Sequence, residues 1–376
     1  MSGQIRVLVV DDSALMRKLI PQILAHDPSI EVVGTAMDGS FGLKKIEELR
    51  PHVVTLDLEM PRMDGIEMLR AITRKHHVPV IIVSSHTERG ASSTLKALAL
   101  GAFDFVSKPH DAAGNLNSIA AELMLKIKVA ASSGAPKMIL TVPTQKQKGT
   151  RPLEERRNPS RVAAIGISTG GPAALQYVFS MLPEDFPGCI LVVQHMPEGF
   201  TDMFARRLDE SCAIEVKEAR SGDMLLAGRA LICPGNRHMK VRRLPQGDIA
   251  VLDDHPPVNG HRPSADVLFY SVAREFGSAC LAIIMTGMGD DGVAGIGAIH
   301  AAGGVTIAQN SDSCVVDSMP RSAVERGFID RVLPLSNIAG FLQAQCIADR
   351  FQQELASLSP TDVEAGVEHG TRRRPS

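Results

Sequence analysis

The sequence predicts two α/β domains, each built on a parallel sheet, within a chain of 376 residues. In the first third, short apolar runs alternate five times with helical patterns, as parallel strands with crossover helices require. In the second half, apolar runs end in glycine-rich turns that lead into helices. The 32 glycines, two tyrosines and absence of tryptophan also suit glycine-turned α/β units better than an aromatic-rich β-sandwich.

The bulk composition favours a cytoplasmic protein that neither binds nucleic acid nor enters a membrane. The net charge of −2 gives no reason to expect a nucleic-acid partner. The six cysteines are scattered without a CxxC pair, as expected for small buried side chains in a reducing compartment. No signal peptide is recognised, and no apolar run approaches the roughly 20 residues that a membrane span needs.

Residues 1–129 are predicted to form the first domain. The candidate strands are 5–10, 31–36, 53–56, 80–83 and 103–106, and helical patterns follow at 13–26, 39–50, 65–76, 91–100 and 115–129. In a parallel sheet the carboxyl ends of the strands lie at one edge, where a functional site is expected.

Polar residues follow four of these five strands: Asp11, Asp12, Asp57, Ser84 and Lys108. Three carboxylates at one sheet edge repel each other, and a hard divalent cation with oxygen ligands, such as Mg²⁺, relieves that repulsion. A carboxylate beside such a cation, flanked by a hydroxyl and an ammonium, is suited to accept a phosphoryl group. One aspartate would be an ordinary helix cap, but capping does not explain polar residues at four strand ends.

The motifs VVDDSALMRKL, VTLDLEMPRMDG, VSS and VSKP resemble the receiver domain of response regulators along the whole of this domain. The resemblance implies that Asp57 is phosphorylated by a histidine kinase. It implies Mg²⁺ ligands from Asp57, the two aspartates after the first strand and the backbone carbonyl of Glu59. It further implies Ser84, at a position usually held by threonine, as the switch hydroxyl and Lys108 as the amine that contacts the phosphate.

Two segments are predicted to lie outside the domains. Residues 130–160 are polar, charged and proline-bearing, which is typical of a flexible linker. A short apolar patch at 138–142 is either part of that linker or packs on a neighbouring domain. Residues 351–376 turn polar and end in EHGTRRRPS, which indicates a disordered tail.

The second domain, residues 161–350, opens with VAAIGISTGGP at 162–172, which predicts a buried strand, a glycine turn and a helix start. Three interpretations are open for this turn. GxSxG is the nucleophile elbow of serine hydrolases. GxSxxG is a degraded dinucleotide-binding fingerprint in which Ser168 replaces the second glycine. The third is a plain tight turn without chemistry.

The next predicted strand, 189–193, favours the hydrolase interpretation because Gln194 and His195 follow it. A dinucleotide site needs an acidic residue about 20 residues after its glycines, at the end of this strand, to hold the ribose. Here that position carries a histidine. The ends of neighbouring parallel strands lie close together, so His195 is expected beside Ser168 as its general base.

A third predicted strand, 280–285, ends in TGMGDDG, which carries Asp290 and Asp291. Either acid can hold the imidazole in the required tautomer. Backbone N–H groups at Met288, or at Thr169 after the nucleophile, are candidates for an oxyanion hole. The chain order of serine, histidine and acid differs from that of α/β-hydrolases, so a doubly wound sheet with a convergent triad is predicted.

The motifs IGISTGGP, VVQHMPEGFT, ICPGNRHM, NGHRPSADVLF and MTGMGDDGVAG resemble the catalytic domain of chemotaxis protein-glutamate methylesterases. The resemblance implies Ser168 as nucleophile, His195 as base and Asp291 as the orienting acid, with no cofactor at this site. That family usually has GMGNDG in the last motif, so Asp290 is the departure. Within NGHRPSADVLF, His261, Arg262 and Ser264 either line a substrate groove or fix a loop onto the domain.

The two resemblances together imply a phosphorylation-regulated hydrolase. Its substrates would be glutamate methyl esters, and certain glutamines, on the cytoplasmic helices of chemotaxis receptors. The unphosphorylated receiver is expected to cover the groove at Ser168, and phosphorylation of Asp57 to weaken that contact. Three other classes stay open: a dinucleotide-dependent enzyme, a receiver with a DNA-binding output, and a catalytically inactive docking protein.

Overall fold

The structure, a computed structural model, describes residues 3–85, 87–108, 116–134 and 158–357. The apolar patch predicted at 138–142, most of the predicted linker and the end of the predicted tail lie outside these ranges. The described residues form two parallel sheets and one separate two-stranded hairpin.

The first sheet has five strands that alternate with five helices, as predicted. The strands are β1 (Ile5–Val10), β2 (Ile30–Ala36), β3 (Val53–Leu56), β4 (Val80–Ser84) and β5 (Asp104–Ser107), and the helices are α1 (Ala14–Leu24), α2 (Gly39–Leu49), α3 (Gly65–Lys75), α4 (Glu88–Ala99) and α5 (Leu116–Ser133). The strand order is β2-β1-β3-β4-β5, and every pair is parallel. This is the flavodoxin-like order, in which the chain direction across the sheet reverses between β1 and β3.

The start of α4 illustrates how local chemistry sets a helix boundary. Apolar periodicity predicts a helix from residue 91, whereas α4 begins at Glu88. The Thr87 side chain accepts a hydrogen bond from the Gly90 N–H at 3.0 Å, so the first turn is satisfied before the apolar pattern begins.

The boundaries of the predicted linker and tail differ from the structure. Helix α5 continues to Ser133, beyond the predicted domain end at residue 129, because Ala130 still packs into the core of the first domain. The last helix continues to Ser357, beyond the predicted end of the second domain at residue 350. Ser160 also belongs to the second domain, since its hydroxyl donates to the Cys346 carbonyl at 2.8 Å.

The second sheet has seven strands: β6 (Val162–Ile167), β7 (Cys189–Gln194), β8 (Glu215–Glu218), β9 (Arg229–Ile232), β12 (Cys280–Ile284), β13 (Val305–Gln309) and β14 (Arg331–Leu333). Their order is β14-β13-β12-β6-β7-β9-β8, with every pair parallel. Between β9 and β12 in the chain, β10 (His238–Arg242) pairs with β11 (Ile249–Asp253) as the antiparallel hairpin. The helices are α6 (Gly171–Ser180), α7 (Phe200–Ser211), α8 (Ala265–Phe276), α9 (Val293–Ala301), α10 (Ser318–Glu325) and α11 (Leu335–Ser357).

The central strand of this sheet determines where a site can form. All six residues of β6 are buried, and β6 pairs with β7 on one side and with β12 on the other. The chain therefore reverses its direction across the sheet at β6, which is where doubly wound sheets open a crevice beyond their carboxyl ends. The predicted doubly wound architecture is confirmed.

Candidate functional site

The first candidate site is an acidic cluster at the carboxyl end of the first sheet. Val10 of β1 pairs with Leu56 of β3, so the residues that follow them are neighbours. Carboxylate oxygens of Asp11, Asp12 and Asp57 all lie within 4.8 Å of one another. An all-oxygen set of this size fits a hard divalent cation such as Mg²⁺.

Lys108 supplies the positive charge in this cluster. Its Nζ lies 2.7 Å from Oδ2 of Asp57 and 3.1 Å from Oδ2 of Asp11. Burial raises the pKa of Asp11, Lys108 opposes that rise, and the negative charge of Asp57 adds to it. The three carboxylates carry more negative charge than the single ammonium of Lys108 can balance. This excess of negative charge favours the binding of a cation.

Two further predicted site residues, Ser84 and Glu59, are bonded to other groups than the predictions require. The Ser84 hydroxyl donates to the Gly90 carbonyl at 3.1 Å and accepts from the Thr94 hydroxyl at 2.6 Å. Both partners belong to α4, so Ser84 is tied to that helix in this conformation. The Glu59 N–H donates to Oδ1 of Asp57 at 3.3 Å, and its role as a carbonyl ligand stays a prediction.

The second candidate site lies where β6, β7 and β12 end. Ile167 pairs with Gln194, so Ser168 and His195 are the next residues on neighbouring strands. The Ser168 N–H donates to the Thr286 carbonyl at 3.0 Å, which brings the TGMGDDG loop to the same edge. Gly287 permits this approach, because a Cβ there would lie 2.9 Å from the Cβ of Ser168.

His195 is hydrogen-bonded to only one of the two candidate acids. Its Nε2 lies 2.8 Å from Oδ2 of Asp291, whereas Asp290 is exposed and lies 3.9 Å from Arg326. The Nδ1 of His195 is buried and has no hydrogen-bond partner within the described residues. With the proton on Nε2, facing Asp291, Nδ1 is the nitrogen that can accept a proton from Ser168. Nε2 thus takes the position toward the acid that Nδ1 holds in the chymotrypsin triad, and no hydrogen bond joins Ser168 to Nδ1 in this conformation.

Asp291 is 1% exposed, and protein donors surround its carboxylate. In addition to His195, it accepts hydrogen bonds from the Ser264 hydroxyl at 2.6 Å and from the Ala265 N–H at 2.6 Å. Burial opposes ionisation of Asp291, but these hydrogen bonds and the charge of His195 outweigh it, so its pKa is lowered.

The predicted oxyanion donors lie in the two loops that meet at Ser168. Among the described residues, neither the Thr169 N–H nor the Met288 N–H is used in a hydrogen bond. The Thr169 carbonyl accepts from the Thr286 hydroxyl at 2.9 Å, which ties the two loops together. Both N–H groups are therefore available for an anionic oxygen.

The residues of the NGHRPSADVLF motif are divided between two environments. The His261 ring stacks on the His195 ring with centroids 3.9 Å apart and an interplanar angle of 6°. Burial lowers the pKa of His261 to about 4, and the neighbouring His195 adds to the effect. Arg262 donates to Oδ1 of Asn236 and to backbone carbonyls, so it fixes a loop, and Ser264 is fully buried.

A contact between the two domains reaches the residue next to the predicted nucleophile. The Thr169 hydroxyl donates to Oδ2 of Asp104 in β5 at 2.5 Å, and Lys126 of α5 lies 3.3 Å from Oδ1 of the same carboxylate. Beside it, the rings of Phe105 and Phe200 stack with centroids 4.9 Å apart. Helix α4 packs against α6 and α7.

Sequence reasoning missed Asp104 and did not predict the hydrogen bond from Ser264 to Asp291. Asp104 lies inside a strand pattern and precedes no glycine loop, so nothing local marks it. The motif predicts Ser264 either as a groove residue or as one that fixes a loop, although a serine directly before a helix is a recognisable cap position.

Fold and sites together define a receiver domain joined to an α/β enzyme domain. The family description "CheB methylesterase" matches residues 163–342, and "Response regulator receiver domain" matches residues 7–120. The chain belongs to the CheB methylesterase family, as the motifs predicted. No described helix is long and apolar enough to cross a bilayer.

Two relatives match along nearly the whole chain. The protein-glutamate methylesterase/protein-glutamine glutaminase 2 of Koribacter versatilis is 62% identical, over 92% of this chain and 97% of its own. The corresponding protein of Symbiobacterium thermophilum is 48% identical, over 89% of this chain and 95% of its own. The crystal structure of the Thermotoga maritima CheB methylesterase catalytic domain is 38% identical with a TM-score of 0.48, and covers 49% of this chain and 97% of its own.

Proposed function

We propose that this chain removes methyl esters from glutamate residues of chemotaxis receptors and deamidates specific receptor glutamines, under the control of its receiver. The names of two relatives that match almost the whole chain include both activities. The observation that carries the chemistry is the hydrogen bond from Nε2 of His195 to Asp291, which leaves Nδ1 without a partner among the described residues, while Ser168 follows the neighbouring strand.

In the proposed acylation step, Nδ1 of His195 takes the hydroxyl proton of Ser168 while Oγ attacks the carbonyl carbon of the ester. The N–H groups of Thr169 and Met288 stabilise the oxyanion that forms. Asp291 keeps the proton of the imidazole on Nε2 and stabilises the imidazolium. Protonated His195 then gives its Nδ1 proton to the departing methoxide, and methanol leaves; from glutamine, ammonia leaves instead.

In the proposed deacylation step, the same histidine acts on water. Nδ1 of His195 removes a proton from water as the water oxygen attacks the acyl-serine carbonyl. The proton returns to Oγ of Ser168 when the bond to the acyl group breaks. The product is a receptor glutamate, so both the ester and the glutamine substrates end as the same carboxylate.

In the receiver, the proposed phosphoryl acceptor is Asp57. Mg²⁺ fits the oxygen cluster of Asp11, Asp12 and Asp57, with the Glu59 carbonyl as a further ligand, and when bound would neutralise charge on the phosphoryl oxygens. Lys108 already lies 2.7 Å from Asp57 and would contact the transferred group. A histidine kinase of a chemotaxis-type array is the proposed phosphodonor, and the cytoplasm the proposed location.

The proposed regulation runs through the contacts between domains. A phosphoryl group on Asp57 offers acceptor oxygens to the Ser84 hydroxyl, which is otherwise bonded to Gly90 of α4. When Ser84 turns toward the phosphoryl group, α4 loses its hydrogen bond from Ser84 and is held less tightly. Helix α4 packs against α6, the helix that follows the Ser168 turn. The bond from Thr169 to Asp104 restrains the same turn in the unphosphorylated chain. A bias of a few kcal/mol between two domain arrangements is enough for a large change in activity.

The test is the release of methanol from methylated receptor membranes and of ammonia from unmodified ones. We expect both in the native chain and neither in Ser168→Ala, since the nucleophile is missing. Ser180→Ala is the matched control, because Ser180 is a buried serine of α6 whose hydroxyl donates to the Tyr177 carbonyl and, within the described residues, to no group of the site. Release by Ser168→Ala at the native rate would refute the proposed nucleophile, and no release by the native chain would refute the proposed activity.

A further inference from the structure

Ser264 stands at the N-cap of α8 but does not cap its own helix. An N-cap serine normally accepts a hydrogen bond from an N–H of the first turn. No such side-chain bond is formed by Ser264. Its hydroxyl, which is fully buried, instead donates to Oδ1 of Asp291 at 2.6 Å.

Asp291 takes over the capping of α8. Its Oδ2 accepts the Ala265 N–H at 2.6 Å, and its Oδ1 lies 3.4 Å from the Asp266 N–H. The positive end of the helix dipole favours an ionised carboxylate at this position. Oδ1 therefore has one strong donor, the Ser264 hydroxyl, while Oδ2 is shared between the helix and His195.

Ser264 is itself fixed from the opposite side by a second buried histidine. Its N–H donates to Nδ1 of His238 at 3.2 Å. Because that nitrogen accepts, the proton of His238 is on Nε2, which lies 3.1 Å from the Pro256 carbonyl. His238 is 0% exposed, so solvent does not compete for these bonds.

We propose that Ser264 is a positioning residue for ester hydrolysis: its hydroxyl fixes the Asp291 carboxylate so that His195 presents Nδ1 to Ser168. This inference rests on the proposed function. Without the hydroxyl, Oδ1 keeps only the 3.4 Å contact with the Asp266 N–H among the described residues, so the carboxylate can rotate and release the imidazole. Ser264 lies behind Asp291 and is fully buried, so receptor binding does not depend on it.

The kinetic experiment compares methanol release by the full chain, with acetyl phosphate, for native, Ser264→Ala, Ser264→Thr and Ser271→Ala. Ser271 is the matched control: it is a buried serine of the same helix that donates to the Leu268 carbonyl at 2.8 Å. We expect Ser264→Ala to lose about 10- to 100-fold in kcat with KM unchanged, as for a hydrogen bond to a charged group. Ser264→Thr, which keeps the hydroxyl, should recover most of the loss.

A second readout does not depend on turnover. The proton between Nε2 of His195 and Asp291 should give a low-field ¹H NMR signal, assigned by its loss in His195→Gln. We expect this signal to shift or disappear in Ser264→Ala and to persist in Ser271→Ala. This readout tests the positioning even if the native chain releases no methanol, so it separates this inference from the proposed function.

Three results would overturn the inference. The first is a Ser264→Ala chain with the native kcat and an unchanged NMR signal. The second is a loss of kcat no larger than that of Ser271→Ala. The third is a rise in KM at constant kcat, which would make Ser264 a groove residue and leave the triad intact.

Discussion

The two domains place their functional carboxylates at the same location, the carboxyl edge of a parallel sheet, but balance the charge in opposite ways. In the receiver, Asp11 and Asp57 share Lys108 as the one side-chain cation that contacts both carboxylates among the described residues, and burial raises the pKa of Asp11. In the catalytic domain, Asp291 is as deeply buried as Asp11, at 1% exposed, yet donors at the start of α8 and His195 lower its pKa.

This difference shows how one architecture supports two chemistries. A carboxylate cluster short of positive charge can attract a divalent cation and then a phosphoryl group. A carboxylate satisfied by a helix N-terminus is ready to orient an imidazole without any external ion. The strand edge provides the position, and the donors around each carboxylate decide its role.

The largest expected effect comes from Asp291→Asn. An amide at that position donates to Nε2 of His195 and so favours the wrong tautomer, and we expect kcat for methanol release to fall about 10³- to 10⁴-fold. Asp290→Asn is the control, because Asp290 is exposed and bonds no part of the triad. A larger loss in Asp290→Asn would identify the other acid as the partner of His195.

The next effect is on stability, and its sign should differ between the domains. Asp291→Asn removes a carboxylate with several donors, so the free energy of unfolding should fall by about 1.5–3 kcal/mol. Asp11→Asn removes like-charge repulsion from the cluster, so without Mg²⁺ it should raise the free energy of unfolding of the receiver by up to about 1 kcal/mol. Added Mg²⁺ should stabilise this variant less than it stabilises the native chain, because one ligand is lost. Denaturant titration measures both, and two changes of the same sign would contradict the comparison.

The pH dependence should follow the lowered pKa of Asp291. Because the unfolded chain binds this proton more readily than the folded chain, stability from Asp291 is fully present above its ordinary pKa of 3.8. That contribution is lost as the pH falls through the lower folded value. The difference in unfolding free energy between native and Asp291→Asn should therefore narrow below a pH of about 3.8, and a constant difference would argue against an ionised Asp291.

The smallest expected effect concerns the bond between the domains. Asp104→Ala removes the acceptor of the Thr169 hydroxyl, so methanol release without phosphodonor should rise several-fold, as for a bias of about 1 kcal/mol. Glu122→Gln is the matched control, because Glu122 pairs with the same Lys126 without reaching Thr169. Equal basal rates in Asp104→Ala and the native chain would show that this contact does not restrain the site.

The sequence predicted the positions of the strand-end residues well, because these residues lie in contiguous motifs. The first strand has the predicted bounds, Ile5–Val10, and Ser168 and His195 follow neighbouring strands. Choosing Asp291 over Asp290 required a resemblance, since adjacent acids in one loop differ only in the direction of their side chains. The bond from Thr169 to Asp104 joins residues of two domains and depends on docking, which no local pattern encodes.

The most direct test of the account measures methanol release from methylated receptor membranes with Mg²⁺, with and without acetyl phosphate, for native, Asp57→Ala and Asp291→Asn. The account predicts that the phosphodonor raises the native rate, that Asp57→Ala keeps the basal rate without responding, and that Asp291→Asn stays far below both. A full response in Asp57→Ala would contradict control through the acidic cluster, and a native rate in Asp291→Asn would contradict the proposed triad.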